Sequence, residues 1–290
     1  RRVLFRSNFL HFMHLYKTSN GFVVGREKEF RTLAGEPDWD ALINRDDLHE
    51  YLVDQWESSG LTEDPSVLEN ILLAPIGSQE VWAAGVTYYS SRLARMEESL
   101  DTGGGDFYSR VYQAERPEIF MKATPARVVG PNAPFRIRSD SDWDVPEPEL
   151  TLFATSSGKI VAYTIGNDVS SRSIEGENPL YLPQAKTFDE CACLGPCLYV
   201  SDQPLSLDTG VGLTIARGGE KVFTDSTSLA QMKRTPEELI GFLFRETSFA
   251  SGVFLMTGTG IVPGTDFTLQ SGDEVSISID SIGVLTNSVR

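Results

Sequence analysis

The sequence predicts an α+β, β-rich fold: a small N-terminal α/β module followed by a larger domain of short strands and few helices. Two observations carry this. Helical stretches of mixed polarity crowd into the first 76 residues, with Trp39, Leu42, Leu48, Tyr51 and Leu52 in one of them. From residue 80 the texture changes to short alternating or apolar runs between turn residues, among them EVWAAGV, RVVGP, LTLFATSSGKIVAYTIG, GLTIARGGEKVF and EVSISIDSIGVL. The 290 residues, 40% hydrophobic and 23% charged, suffice for one large domain or two small ones.

The elements follow in order. Residues 1–12 (RRVLFRSNFLHF) are basic and partly apolar with no small-residue cleavage site after them. Met13 reads as a start, so residues 1–12 are expected to be a non-native extension. Residues 13–76 form the small module, with a strand pair around Gly21–Gly25 and an apolar stretch from Val67 to Leu73. Ala74-Pro75-Ile76-Gly77 closes it, and residues 77–290 make the larger domain. Within it, residues 87–117 read as two polar helical pieces joined by Asp101-Thr102-Gly103-Gly104-Gly105-Asp106. That segment is either a surface loop or a lid hinged at its glycines. SSGK and RGGEK are hairpin connections. Thr235 is placed as a helix N-cap, with Pro236 in the first helical position and Glu238 completing a capping box.

Charge and composition exclude several classes of function. The net charge of −16 argues against nucleic acid and against an anionic membrane surface. No run reaches the ~18 to 20 apolar residues that span a bilayer. Cys191, Cys193 and Cys197 crowd into CACLGPC with no fourth zinc ligand nearby, so they are assigned to a buried strand rather than a metal knot. Clustered thiols without a signal peptide point to a reducing compartment, the cytoplasm. His11, His14 and His49 all lie in the first 50 residues, so Ser-His-Asp or Cys-His chemistry is excluded from the larger domain.

The richest stretch is SDSDWDVPEPEL, residues 139–150. Side chains alternate along a strand, so Glu147 and Glu149 share a face. Pro146 and Pro148 suit an edge or a strand end beside a cavity. After the SSGK turn the returning strand ends at Asp168, which a hairpin of that length can bring beside the two glutamates. Three carboxylates with open positions suit Mg²⁺, with Mn²⁺ or Ca²⁺ as alternatives. A solvated acidic edge is the other reading of the glutamate pair. A calcium loop starting at Asp140 is ruled out, because Val145 and Thr151 stand where it needs Gly and Glu.

Together, Glu147-Pro148-Glu149-Leu150, YTIGNDVSSR (163–172), TGTG (257–260) and GDEVSISIDSIGVLTNSV (272–289) resemble the fumarylacetoacetate hydrolase superfamily. RPEIFMKATPARVVG (116–130), RSDSDWDVPEPEL (138–150), GENPLYLPQAK (176–186) and LMTGTGIVPG (255–264) are most similar to its 2-keto-3-deoxy-D-arabinonate dehydratases. The resemblance implies a mixed β-sandwich roll for the larger domain and a homodimer or higher homo-oligomer. It places Glu147, Glu149 and Asp168 on the divalent-metal ligands and Lys186 on a lysine beside the metal. Glu118 falls on an acidic residue that reaches substrate, and Thr259 lies in a substrate-contact loop. Asn287 occupies a C-terminal position where relatives carry Thr or Asn. Lys122 is added as a candidate either behind the metal ligands or on the substrate carboxylate, and Arg172 and Arg92 as weaker candidates for substrate contact.

The reaction expected is loss of water from a 2-keto-3-deoxy sugar acid through a metal-stabilised enolate, with Glu118 and Lys186 as the acid/base pair. Hydrolytic relatives draw a histidine from the start of the lid. Here that segment reads Gly85-Val86-Thr87-Tyr88-Tyr89-Ser90-Ser91, without one. A C–C hydrolase, decarboxylase or tautomerase of another 2-keto acid is the alternative, and an inactive binding module is a third reading.

Overall fold

The structure, a computed structural model, describes residues 11–33, 35, 38–58, 72–91 and 105–290, side chains of 105–108 excepted. Its strands are β1 (Phe12–Thr18), β2 (Gly21–Arg26), β3 (Glu29–Thr32), β4 (Glu80–Gly85), β5 (Glu118–Ala123), β6 (Val128–Val129), β7 (Asp144–Val145) and β8 (Pro148–Ala154). They continue as β9 (Ile160–Asp168), β10 (Ser170–Ser171), β11 (Ala192–Ser201), β12 (Gly210–Arg217), β13 (Glu220–Ser228), β14 (Val253–Thr259), β15 (Glu274–Ile279) and β16 (Gly283–Ser288). The helices are α1 (Trp39–Ile43), α2 (Leu48–Ser58), α3 (Gly105–Gln113), α4 (Arg172–Glu177), α5 (Leu182–Lys186) and α6 (Pro236–Leu243).

The larger sheet runs β3-β2-β1-β11-β9-β8-β14-β4-β5, with β6 added in parallel to β11. β14 and β4 are also parallel, which makes the sheet mixed, as the resemblance implies. The smaller sheet, β13-β12-β15-β16, is antiparallel. Both faces of the large sheet are covered. Trp39, Leu42, Ile43, Leu48, Leu52 and Trp56 of α1 and α2 join a core with Met13, Phe153 and Phe254. Leu213, Ile215, Val275, Ile277 and Ile279 of the small sheet join another with Leu152, Ile165 and Leu255. This is why β8 and β14 are buried at every position and read as apolar runs, whereas β12, covered on one face, alternates.

The N-terminal strands do not close a sheet of their own. β1 pairs with β11, from Phe12 opposite Ser201 to Leu15 opposite Leu198. The boundary expected at residue 13 therefore falls inside β1. Hydropathy shows that a strand exists but not which backbone will satisfy its edge, and here β11 does so. At the other end, the chain leaving β5 turns through Pro125–Arg127 and enters β6 on β11. The sheet thus rolls back on itself and brings the end of β5 beside the end of β9.

Local chemistry accounts for the turns. Gly218 and Gly219 both have positive φ (61° and 86°), as a two-residue hairpin turn of the I′ type requires. Thr235 Oγ1 accepts from the Glu238 backbone N–H at 3.2 Å, as expected for the cap. The Glu238 carboxylate turns instead to Arg234 Nη1 at 2.5 Å. Lys233 donates to the carbonyl of Tyr112 in the last turn of α3, Arg234 to those of Ala114 and Glu115 just after it, and the Lys233 N–H to the Thr87 carbonyl. Met232–Arg234 thereby ties down both flanks of the segment expected as a lid. Its Gly103, Gly104 and Arg92 lie outside the described residues.

Cys191, Cys193 and Cys197 are free and fully buried, the last two within β11. Burial pushes the Cys197 thiol up to about 12 and Cys193 higher still. Near neutral pH almost no thiolate forms, and the thiolate is the nucleophile. Native protein should therefore react negligibly with a disulfide reagent such as DTNB, and all three thiols should react once it is denatured. Rapid native reaction would contradict the packing of β11.

Candidate active site

β8 and β9 pair with Pro148 opposite Asn167 and Glu149 opposite Gly166, and the Asp168 N–H donates to the Glu147 carbonyl at 3.0 Å. This register stands Glu147 and Glu149 on one face with Asp168 across from Glu147. One carboxylate oxygen from each of the three lies within 4.8 Å of the others, and the side chains are 4%, 1% and 1% exposed. β8 sits between β9 and β14, so the strand-end reading of Pro148 applies and the edge reading does not: Pro148 is the first residue of a central strand.

Cations surround this cluster. Lys186, at the end of α5, donates to Glu147 Oε2 at 2.8 Å, Asp168 Oδ2 at 3.1 Å and Ser170 Oγ at 2.6 Å. Arg172, at the start of α4, pairs through Nη2 with Glu147 Oε1 at 2.7 Å. Lys122, at the end of β5, pairs with Asp168 Oδ1 at 2.7 Å. Three carboxylates thus meet three cations, one of which, Arg172, also lies 3.8 Å from the buried Glu175 carboxylate. Buried carboxylates need such partners, because isolated charges are expelled from low dielectric.

Glu149 is held differently. Its Oε2 accepts the Gly258 N–H at 2.6 Å. Burial, then the charges of Asp168 and Glu147, raises its carboxyl well above the ordinary range, opposed by Lys186 and the Gly258 N–H. Gly258 has φ +94°, and a Cβ there would fall 1.9 Å from Thr87 Oγ1, so only glycine lets this N–H reach the carboxylate. Thr87 Oγ1 in turn donates to the Thr257 carbonyl. Tyr88, 2% exposed, is raised by burial and by the Glu149 charge.

A narrow cavity opens on these groups, lined by Gly85, Val86, Phe120, the three carboxylates, Arg172, Lys186, Gly258 and Thr259 among others. Thr259 stands opposite Glu149 in the β14–β8 pairing, and its hydroxyl bonds within its own turn to Ile261. Glu118 stands opposite Gly85, and a Cβ on Gly85 would fall 2.1 Å from its Oε2. A second cavity of about 600 Å³, between α2, the β8–β9 turn and α6, shares no residue with the carboxylate site. Its Asp46 is bonded to Thr155 and Ser157, and no ligand set converges there.

Lys122 and Asn287 are not among the residues that line the cavity. The Lys122 ammonium donates to the carbonyls of Val169 and Lys186 and forms an ion pair with Asp168 Oδ1, and its side chain is fully buried. Asn287 does not line the cavity: its Nδ2 donates to the carbonyls of Gly130 and Ala133, each at 2.8 Å, and pins that loop. Arg172 does line the cavity, with Nη2 engaged by Glu147. Ser170, Phe120, Tyr88 and the Gly258 N–H escaped the sequence reading. Alternation along β5 already placed Phe120 and Lys122 on the Glu118 face, which was the available clue.

This rolled mixed sheet, with its buried carboxylate triad bridged by a lysine, defines a protein of the fumarylacetoacetate hydrolase class. Residues 93–290 match the family described as Fumarylacetoacetate (FAA) hydrolase C-terminal, and the chain belongs to that family. It is 47% identical over 237 residues to the Haloferax volcanii protein named "Probable 2-keto-3-deoxyxylonate dehydratase", covering 79% of this chain and 80% of that one. It is 45% identical over 220 residues to the 2-dehydro-3-deoxy-D-arabinonate dehydratase of Saccharolobus solfataricus, covering 74% and 73%. Among solved structures, the apo form of 2-keto-3-deoxy-D-arabinonate dehydratase superposes with a TM-score of 0.78 at 34% identity, covering 96% of this chain and 98% of that one. A form complexed with magnesium and 2,5-dioxopentanoate gives 0.77 at 33% identity over the same shares.

Proposed function

We propose that the protein is a divalent-metal-dependent hydro-lyase that dehydrates a 2-keto-3-deoxy sugar acid, such as 2-keto-3-deoxy-D-arabinonate, to 2,5-dioxopentanoate. The observation that carries this is the Glu147–Glu149–Asp168 cluster bridged by Lys186, in a chain 45–47% identical to dehydratases of such acids. Three carboxylate oxygens within 4.8 Å form a hard-oxygen donor set that fits Mg²⁺. Bound there, a dication would act as a Lewis acid that draws electron density from a 2-keto carboxylate.

The chain's own groups do the rest. Lys122, Lys186 and Arg172 offset the three carboxylates, while Glu175 beside Arg172 and Glu118 beside Gly85 add negative charge, so a bound dication would supply the positive charge that attracts an anionic keto acid. Phe120 and Val86 give the cavity apolar walls that limit water beside the reacting carbons. In this reading Glu118 and Lys186 move the protons: one leaves C3, and another joins the C4 hydroxyl as it departs as water. The C3–C4 double bond so formed is converted to the aldehyde by moving a proton from C5 to C3, followed by ketonisation of the C4–C5 enol. Thr259 and Arg172 are assigned to substrate contact because both line the cavity. The histidines that hydrolysis would use are elsewhere: His14 bonds the Ser281 carbonyl, His11 bonds Asp202 and His49 lines the second cavity.

Incubation with Mg²⁺ and 2-keto-3-deoxypentonate should yield 2,5-dioxopentanoate, read by mass spectrometry. Pyruvate with a two-carbon aldehyde would show C–C cleavage and overturn the assignment. A cytoplasmic setting and a homo-oligomer belong to the same reading. Three free, buried thiols favour the first, and family resemblance supports the second. Among the described residues no helix is long and apolar enough to cross a membrane. Light scattering of a monomer would remove the oligomer from this reading.

A further inference from the structure

We propose that Lys122 is a positioning residue that sets the catalytic lysine, Lys186, against the Asp168 carboxylate; the inference rests on the dehydratase reading. The Lys122 ammonium joins three parts of the chain that are remote in sequence. It pairs with Asp168 Oδ1 at 2.7 Å, donates to the Val169 carbonyl at 2.8 Å, and donates to the backbone carbonyl of Lys186 itself. One end of Lys186 is therefore tied through its carbonyl to Lys122, while its Nζ reaches Asp168 Oδ2 and Glu147 Oε2. Asp168 takes one ammonium on each oxygen. The two lysines and Asp168 close a loop of contacts in which a shift of Lys122 moves the α5 terminus and the carboxylate together.

The sheet topology gives this brace its place. β5 is the last strand of the large sheet and β9 lies four places away along it; the nearer backbone link is β6, which pairs with β11 beside β9. The roll meets along the seam where β5 runs into β6, and the Lys122 side chain crosses it to the end of β9, beside the Thr187 hydroxyl that donates to the Met121 carbonyl. Its complete burial, its two backbone acceptors and its ion pair with Asp168 keep it out of the cavity lining. Placement errors of about 1 Å at a reacting group can cost on the order of 10²-fold in rate. The function inferred for Lys122 is to keep the Lys186 ammonium and the Asp168 carboxylate from making that error.

The test compares Lys122→Met and Lys122→Gln with wild type, alone and in a Lys186→Met background. Melting temperature, Mn²⁺ binding with EPR of the bound ion, and steady-state rates on 2-keto-3-deoxypentonate are measured. Both variants should fold and bind Mn²⁺ with an altered EPR line shape. Their kcat should fall about 10²-fold with KM changed less than threefold. In the Lys186→Met background, Lys122→Met should lower kcat no further. A loss confined to KM would make Lys122 a substrate contact and overturn the proposal. So would independent losses that multiply, an unchanged Mn²⁺ spectrum, or failure of both variants to fold. Wild type that leaves the keto acid untouched would overturn the dehydratase reading instead; the Mn²⁺ spectra would still decide for or against the brace.

Discussion

Glu149→Gln is expected to abolish most activity, lowering kcat/KM on the order of 10³-fold, while the variant melts no lower than wild type in chelator. The asymmetry follows from how this carboxylate is held. Glu147 and Asp168 each pair with buried cations, so removing either strands a charge at a cost of about 3–5 kcal/mol. Glu149 rests on the Gly258 N–H, with a carboxyl raised by burial and by its two anionic neighbours. A glutamine oxygen can accept the same N–H without carrying the charge. A carboxyl whose folded value lies above its unfolded one costs the fold stability as pH rises from the unfolded value toward the folded one, and Gln escapes that loss. The variant's advantage in melting temperature should therefore be present at neutral pH and vanish below the ordinary carboxyl range. Divalent-ion affinity should move oppositely. In wild type it rises with pH as Glu149 is freed of its proton, with proton release on binding, and in the variant both effects are lost. Calorimetry in two buffers of different ionisation enthalpy reads this directly. Unchanged Mg²⁺ affinity in Glu149→Gln would remove the carboxylate from the proposed metal site.

Lys186→Met is expected to lower kcat by about 10³- to 10⁴-fold, the range for loss of a positioned acid/base group. Its effect on stability should depend on metal. Without an ion, Glu147 and Asp168 lose the ammonium that bridges them at 2.8 and 3.1 Å, and the protein should be destabilised by about 3–5 kcal/mol. A bound dication supplies the missing positive charge. The rise in melting temperature on adding Mg²⁺ should therefore be larger in the variant than in wild type. Activity close to wild type would show that Lys186 moves no proton, and an equal metal response in both proteins would show that its charge does not offset the triad.

Much of this protein was legible in its sequence because the relevant physics acts over a few residues. Two-residue alternation put Glu147 and Glu149 on one face, and the SSGK turn brought Asp168 back to them. Turn and cap chemistry located Gly218-Gly219 and Thr235. The absence of histidine after residue 49 limits the chemistry open to the larger domain. The motifs from Glu118 to Asn287 identified the family that the comparisons support.

What the sequence left open was decided by contacts between distant segments. The N-terminal strands read as a module of their own, yet β1 completes its hydrogen bonding on β11, more than 180 residues later. Lys122 read either as a residue behind the metal ligands or as a contact to the substrate carboxylate, and its ammonium lies on carbonyls 47 and 64 residues away and beside Asp168. Asn287 read as part of the site, yet it fastens a loop more than 150 residues earlier. Local spacing determines which face a side chain takes and which turns the backbone can make. Counter-charges for a buried carboxylate cluster are selected only when the sheet rolls closed, because low dielectric admits no carboxylate without a partner and the partner can come from any strand that reaches it.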